Sequence, residues 1–237
     1  GTPGNVKEAI EQSTFAWYLK ERAETPVVGV EETEVNKEPP EAAGPGAGPK
    51  LELLRLLPAD AQRKGLPQIP KGIISAFSAV VRVAEHGSTR QELISVFQEY
   101  IPKFNARSAD SFIMLVRRLG LLELQDNTLR PTARGRELYE GEAPSDVLAP
   151  VLITQIFGVA QLLHELEALP AGLTMSELAG RLRTWYPPWK TDITAQSIAS
   201  WCEQIGLLTR KPGPDKLLRF SLSDAGVEWA SKLPRNL

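Results

Sequence analysis

One order of landmarks recurs twice along this 237-residue chain, and it constrains the fold more than any other feature. Gly120 and Gly206 sit in matching steps, Leu119-Gly120-Leu121-Leu122 and Ile205-Gly206-Leu207-Leu208. Ahead of them lie Tyr100 and Pro102 in one copy, Tyr186 and Pro188 in the other. Behind them come Thr132 with Gly135, and Ser223 with Gly226. The order holds while the loops between landmarks change length. Self-similarity of this kind marks one supersecondary unit built twice.

Each copy reads as a long apolar helix, a capped second helix, a third helix ending at the glycine, an extended arm and a closing helix. In the first, Gly72–His86 is the apolar helix, and Ser88-Thr89-Arg90-Gln91 is a capping signal for a helix reaching about Tyr100. The third helix spans roughly Ser108–Leu119. A hairpin turns at Asp126-Asn127, and Thr132 caps the closing helix. In the second, Val151–Leu169 is the apolar helix, Thr174 to Glu177 a capping box, and Thr191–Ile205 the third helix. A longer turn over 211–216 separates two extended arms, and Ser223 opens the last helix. Helix, capped helix, helix, β-hairpin is the winged helix-turn-helix arrangement. The glycine after each third helix suits a C-terminus that turns through left-handed backbone. The expected class is mainly α with small β-hairpins: two winged helices, at 71–142 and 143–237, each of a size that can bury a core.

Ahead of the repeat, residues 1–24 carry helical spacing through Val6, Ala9, Ile10 and Trp17. Residues 25–50 collapse into Glu, Pro, Gly and Ala, a linker composition too poor in apolar groups to build a core. Residues 51–70 form an approach segment, with a short helix expected over Leu51–Leu57. Acidic residues outnumber basic ones 11 to 8 over residues 1–70, and the remainder is near neutral, so the chain lacks the strong positive charge of a nonspecific DNA coat. No apolar run reaches the ~18 residues of a membrane span. The start at Gly1 without a Met reads as a piece of a longer protein, and the cytosol is the simplest compartment.

No residues assemble into a catalytic constellation. One cysteine, Cys202, and two histidines, His86 and His164, are too few for an ordinary Cys/His zinc site. Gly44 to Lys50 is glycine-rich but carries prolines and lacks the Ser/Thr of a P-loop. The expectation is a non-enzymatic chain with no cofactor and no metal.

Binding fits better. The third helix of each copy is the one that enters a major groove in helix-turn-helix proteins. In copy one, Phe112, Leu115, Val116 and Leu119 point inward, leaving Arg107, Ser108, Asp110, Ser111 and Arg118 outside. In copy two, Ile198, Trp201, Cys202 and Ile205 point inward, leaving Thr194, Gln196, Ser197 and Ser200. Short polar groups, Gln and Arg suit base edges, though a solvated helix face carries the same residues. Arg210, Lys211, Lys216 and Arg219 crowd one hairpin and make the second wing the stronger electrostatic signal. Arg130, Arg134 and Arg136 stand at the base of the first. The run Trp185-Tyr186-Pro187-Pro188-Trp189-Lys190 anchors its loop on its own core or, through Trp185, Tyr186 and Trp189, offers a partner surface.

Over residues 71–237 the chain resembles the winged-helix superfamily, carried by Phe104 to Ser108, Leu119 to Leu122 and Pro131 to Gly135. Tandem winged helices behind a linker are also similar to DNA-recognition regions of certain restriction endonucleases, where a separate nuclease or motor domain cuts. That resemblance implies a non-catalytic module for double-stranded DNA, within a bacterial restriction system, joined to a catalytic domain or protein partner. Two alternatives stand beside it: a protein-assembly scaffold, as tandem winged helices form in SMC-type complexes, and a transcriptional regulator. Converging Arg and Lys would favour DNA; converging apolar residues would favour assembly.

Overall fold

The computed structural model describes residues 53–101, 104–105, 108–126 and 128–235, all within one compact unit, Pro49–Leu237. The expected helix of residues 1–24, the 25–50 linker, Arg107 and Asn127 lie outside the described residues. The fold is mainly helical with small antiparallel hairpins, winged-helix-like.

The first half comprises α1 (Ile73–Val83), α2 (Arg90–Tyr100), α3 (Ala109–Arg118), β1 (Leu122–Gln125), β2 (Thr128–Pro131) and α4 (Ala133–Glu140). The second comprises α5 (Pro144–Gln155), α6 (Val159–Glu167), β3 (Leu173–Thr174), α7 (Met175–Trp185), α8 (Ile193–Gln204), β4 (Leu208–Pro212), β5 (Leu218–Leu222) and α9 (Asp224–Ser231). β1 and β2 pair antiparallel with Leu122 opposite Pro131, and Ser88 adds a one-residue bridge to Leu129. In the second half β3 extends that bridge into a strand, giving the order β3-β5-β4, with Leu173 opposite Phe220 and Leu208 opposite Leu222.

The same local chemistry builds both halves. Thr89 and Thr174 close full capping boxes with Glu92 and Glu177. The first box therefore starts one residue after Ser88, because Ser88 is committed to the Leu129 bridge. Gly120 and Gly206 turn with φ of 68° and 75°, backbone that L side chains rarely adopt. Thr132 and Ser223 each donate a hydroxyl to that glycine's carbonyl and accept the N–H of Gly135 or Gly226. Those two glycines then press against Leu121 O and Leu207 O, so closely that a Cβ would stand 2.2 and 2.0 Å away.

Two expectations are corrected. The apolar helix over Val151–Leu169 is two helices, because the chain between them pairs with the approach segment. Arg63 N–H donates to Gln155 O, and Phe157 N–H donates to Arg63 O, both at 2.9 Å, and the chain then turns through Gly158. The described part of the expected Leu51–Leu57 helix is not helical. Leu54 and Leu57 donate their N–H groups outward, to Lys232 O and Thr154 O, instead of into a helix of their own.

One apolar core runs through both halves, from Ile73, Phe77 and Val80 through Leu152 and Leu163 to Ile198 and Trp201. The seam between α1 and α8 is specific. Trp201 meets Phe77 edge-on at 5.5 Å and donates its indole N–H to Pro67 O at 2.9 Å, and Gln204 Oε1 accepts the Ile73 N–H at 2.7 Å.

Candidate nucleic-acid interface

On α3 the apolar stripe of Ile113, Leu115 and Val116 is buried, which turns Ser111, Met114 and Arg118 to solvent. Asp110 is held by Arg90 across from α2, with Nε to Oδ1 at 2.6 Å, and that contact fixes the start of α3. The Asp110 hydrogen bond is the main reason the Arg90 guanidinium is raised from its ordinary pKa. Ser108 is the residue before α3 and makes no side-chain cap bond. Arg130 is exposed on β2 opposite Glu123, and Arg134 is exposed on α4 with its guanidinium lying over Gly120 at the end of α3.

The sequence offered no role for Arg63, which the fold brings to α3. Its Nη2 donates to Ser111 Oγ at 3.2 Å and its Nε to Gly65 O at 2.8 Å. Burial and the neighbouring Arg118 charge both hold its guanidinium below the ordinary arginine pKa. The basic dipeptide Arg63-Lys64, in an otherwise apolar and polar stretch, was the available signal.

α8 is less open than its counterpart. Residues 67–73 lie along its C-terminal half through the Trp201 and Gln204 contacts, so Thr194 and Gln196 of the first two turns keep solvent access. Ser200 accepts from Gln204 Nε2 at 3.1 Å and lines an open groove of ≈ 470 Å³ with Gln196, Ile69, Leu218 and Phe220. Ser197 is a correction: it is 1% exposed and donates its hydroxyl to Ile193 O, so it faces the protein and not a groove of DNA.

The second wing also differs from its sequence appearance. Arg219 is bound to Asp215 at 2.7 Å and to Glu177 at 3.4 Å, and Arg210 lies 3.3 Å from Glu203 and over the Phe220 ring. The Arg219 hydrogen bond holds the Asp215 carboxyl below its usual pKa. Lys211 and Lys216 stay exposed, without a carboxylate within 4 Å among the described residues. Arg118, Arg130, Arg134 and Arg136 likewise make no ion pair within 4 Å among the described residues, so more arginines free of a direct ion pair stand in the first half than the wing pattern suggested.

Of the two readings of the aromatic run, anchoring on the protein's own core accounts for its three rings: Trp189 is buried, Trp185 and Tyr186 are half-buried, and Pro187, Pro188 and Lys190 are exposed. Trp189 donates its indole N–H to Lys64 O at 3.0 Å and packs edge-on against Phe157. Trp185 donates to Glu165 Oε1 at 2.8 Å. Tyr186 leans on both Phe157 and Trp189, with the Lys64 ammonium over its ring. Cys202 is fully buried, and burial pushes its thiol up to about 12. Among the described residues no three His, Cys, Asp or Glu side chains gather as metal ligands, and no helix is long and apolar enough to cross a membrane.

A scan against known protein families and a search of curated proteins find no match to the chain. Among solved structures, it is similar to restriction endonuclease FokI bound to DNA, at 15% identity and a TM-score of 0.48 over 73% of this chain and 48% of that one. It thus spans about half the length of the FokI chain. It is also similar to the BpuJ1 endonuclease binding domain in complex with pyrene- and phenanthrene-modified DNA, at 11% identity and a TM-score of 0.38 over 75% of this chain and 87% of that one.

Proposed function

We propose that residues 53–235 form a non-catalytic module for double-stranded DNA, built from two tandem winged helices and working within a larger restriction-type system whose chemistry lies in another domain or partner. The observation that carries this reading is the set of exposed arginines around α3 and the first hairpin, Arg118, Arg130 and Arg134, none of which makes an ion pair within 4 Å among the described residues. Unpaired guanidiniums beside an open helix face suit phosphates flanking a groove. Ser111 on α3, and Thr194 and Gln196 in the first turns of α8, are the side chains placed to meet base edges; Gln can bond adenine bidentately. Lys211 and Lys216 add phosphate contacts from the second wing, and Arg210 and Arg219 hold that wing's shape.

Selection from a random duplex pool at about 50 mM salt tests the reading. Enriched sequences are expected, and Gln196→Ala relaxes the preference at one position while leaving salt dependence unchanged. Failure to retain any duplex at that salt overturns it. A second reading, protein assembly, is favoured by exposed Leu217, Leu218 and Ile193 and by the apolar part of the groove beside α8, Ile69, Leu218 and Phe220. A chain that retains no DNA but loses a partner on Leu218→Asp supports that reading instead.

A further inference from the structure

Arg63 sits where the two halves meet. Its backbone is held on both sides by the break between α5 and α6, while its side chain reaches across to Ser111 on α3. Arg118 lies seven residues beyond Ser111, two turns along the same helix face. Burial first, and then the Arg118 charge, disfavour the charged form of Arg63. Neither has an ion-pair partner among the described residues.

A bridge between halves needs only a neutral donor, and glutamine would serve. Two guanidiniums at one helix face, one of them half-buried, repel each other, and an anion between them relieves that repulsion. A guanidinium presents a planar fork of donors that matches the oxygens of a phosphate. Ser111 supplies a hydroxyl on the same face.

We propose that Arg63 and Arg118 form a two-arginine clamp for one backbone phosphate of duplex DNA at the open face of α3, with Arg63 supplied by the approach segment and not by the helix-turn-helix itself. This proposal rests on the DNA reading above. Because Arg63 is anchored through its backbone to the second half, the clamp also fixes the α3 face relative to that half when the phosphate is bound.

The test compares duplex affinity across a salt series for the full chain, Arg63→Gln, Arg118→Gln, the double variant and Arg63→Lys, with thermal melts alongside. One shared phosphate predicts that the double variant's log K against log salt slope falls by about 1, and not by 2, with sequence preference unchanged. Arg63→Lys keeps the slope. Arg118 is exposed at the end of α3, so Arg118→Gln keeps the test open if Arg63→Gln melts early. A parent chain that binds duplex, with a double variant of unchanged slope, overturns the clamp and leaves the DNA reading standing. A lowered melting temperature with that same unchanged slope assigns Arg63 to bridging alone. A parent chain with no salt-dependent duplex binding removes both.

Discussion

Replacing Gly135 or Gly226 by alanine tests whether the two halves are held by one and the same device. The added Cβ at Gly135 would stand 2.2 Å from Leu121 O and 3.3 Å from Val81 Cγ1. At Gly226 it would stand 2.0 Å from Leu207 O and 3.4 Å from Leu222 Cβ. Ordinary C···O contacts begin near ~3.3 Å, so each overlap exceeds an ångström and falls on backbone. Neither carbonyl can yield cheaply, because each also accepts an N–H, from Thr132 or Ser223, at 3.1 Å. Relief therefore means moving the start of α4 or α9 away from the hairpin. The cost sits at the upper end of overpacking, about 3 kcal/mol, or roughly 6–12 °C in Tm for a domain of this size. Gly180, inside α7 with nothing near its Cβ position, is the control, and alanine there is expected to stabilise by about 0.5–1 kcal/mol. Thermal and urea melts followed by circular dichroism measure all three. Melting of either variant within about 1 °C of the parent, or an equal loss at Gly180, would show that these glycine contacts do not hold α4 and α9 to their hairpins.

Other outcomes follow from single contacts. Gln204→Ala removes the acceptor of the Ile73 N–H at the seam between halves, and is expected to cost about 1–3 kcal/mol in urea unfolding. Glu92 and Glu177 are held below their ordinary pKa chiefly by the backbone N–H groups of Thr89 and Thr174. Their stabilisation is therefore complete above the ordinary value of 4.5 and is lost as pH falls through the depressed folded value. Glu92→Gln with Glu177→Gln should flatten the stability-against-pH curve on that acid side, and an unchanged curve contradicts the assignment. Cys202, with its thiol pushed up to about 12, should resist iodoacetamide at neutral pH in the folded chain and label in urea; labelling of the folded chain would show its burial to be wrong.

Much of the fold was legible because both halves use local devices. The glycine steps, the Thr174 box and the Thr132 and Ser223 caps are written in a few adjacent residues and fold the same way twice. The features that escaped are tertiary. Nothing in the apolar run Val151–Leu169 signals that Arg63, some ninety residues earlier, pairs with its middle. α8 is covered on one side by its own core and on another by residues 67–73, so its open face is narrower than a single apolar stripe implies. Ser197 could have been placed inside, since it lies one turn before Trp201 on the buried stripe. The Arg219–Asp215 pair forms because the turn folds Asp215 back on β5, and neither it nor the approach of Glu177 from α7 shows in residue spacing, since i, i+4 neighbours meet on helices and not in a hairpin.

On the proposed function, duplex DNA is held by Arg118, Arg130 and Arg134 of the first half. The most direct measurement compares the salt dependence of duplex affinity for the parent, for Arg118, Arg130 and Arg134 changed together to glutamine, and for Lys211 and Lys216 changed together. A steep negative slope for the parent, reduced more by the arginine set than by the lysine pair, is the predicted result. A slope unmoved by the arginine set, or a parent that binds no duplex at about 50 mM salt, contradicts it.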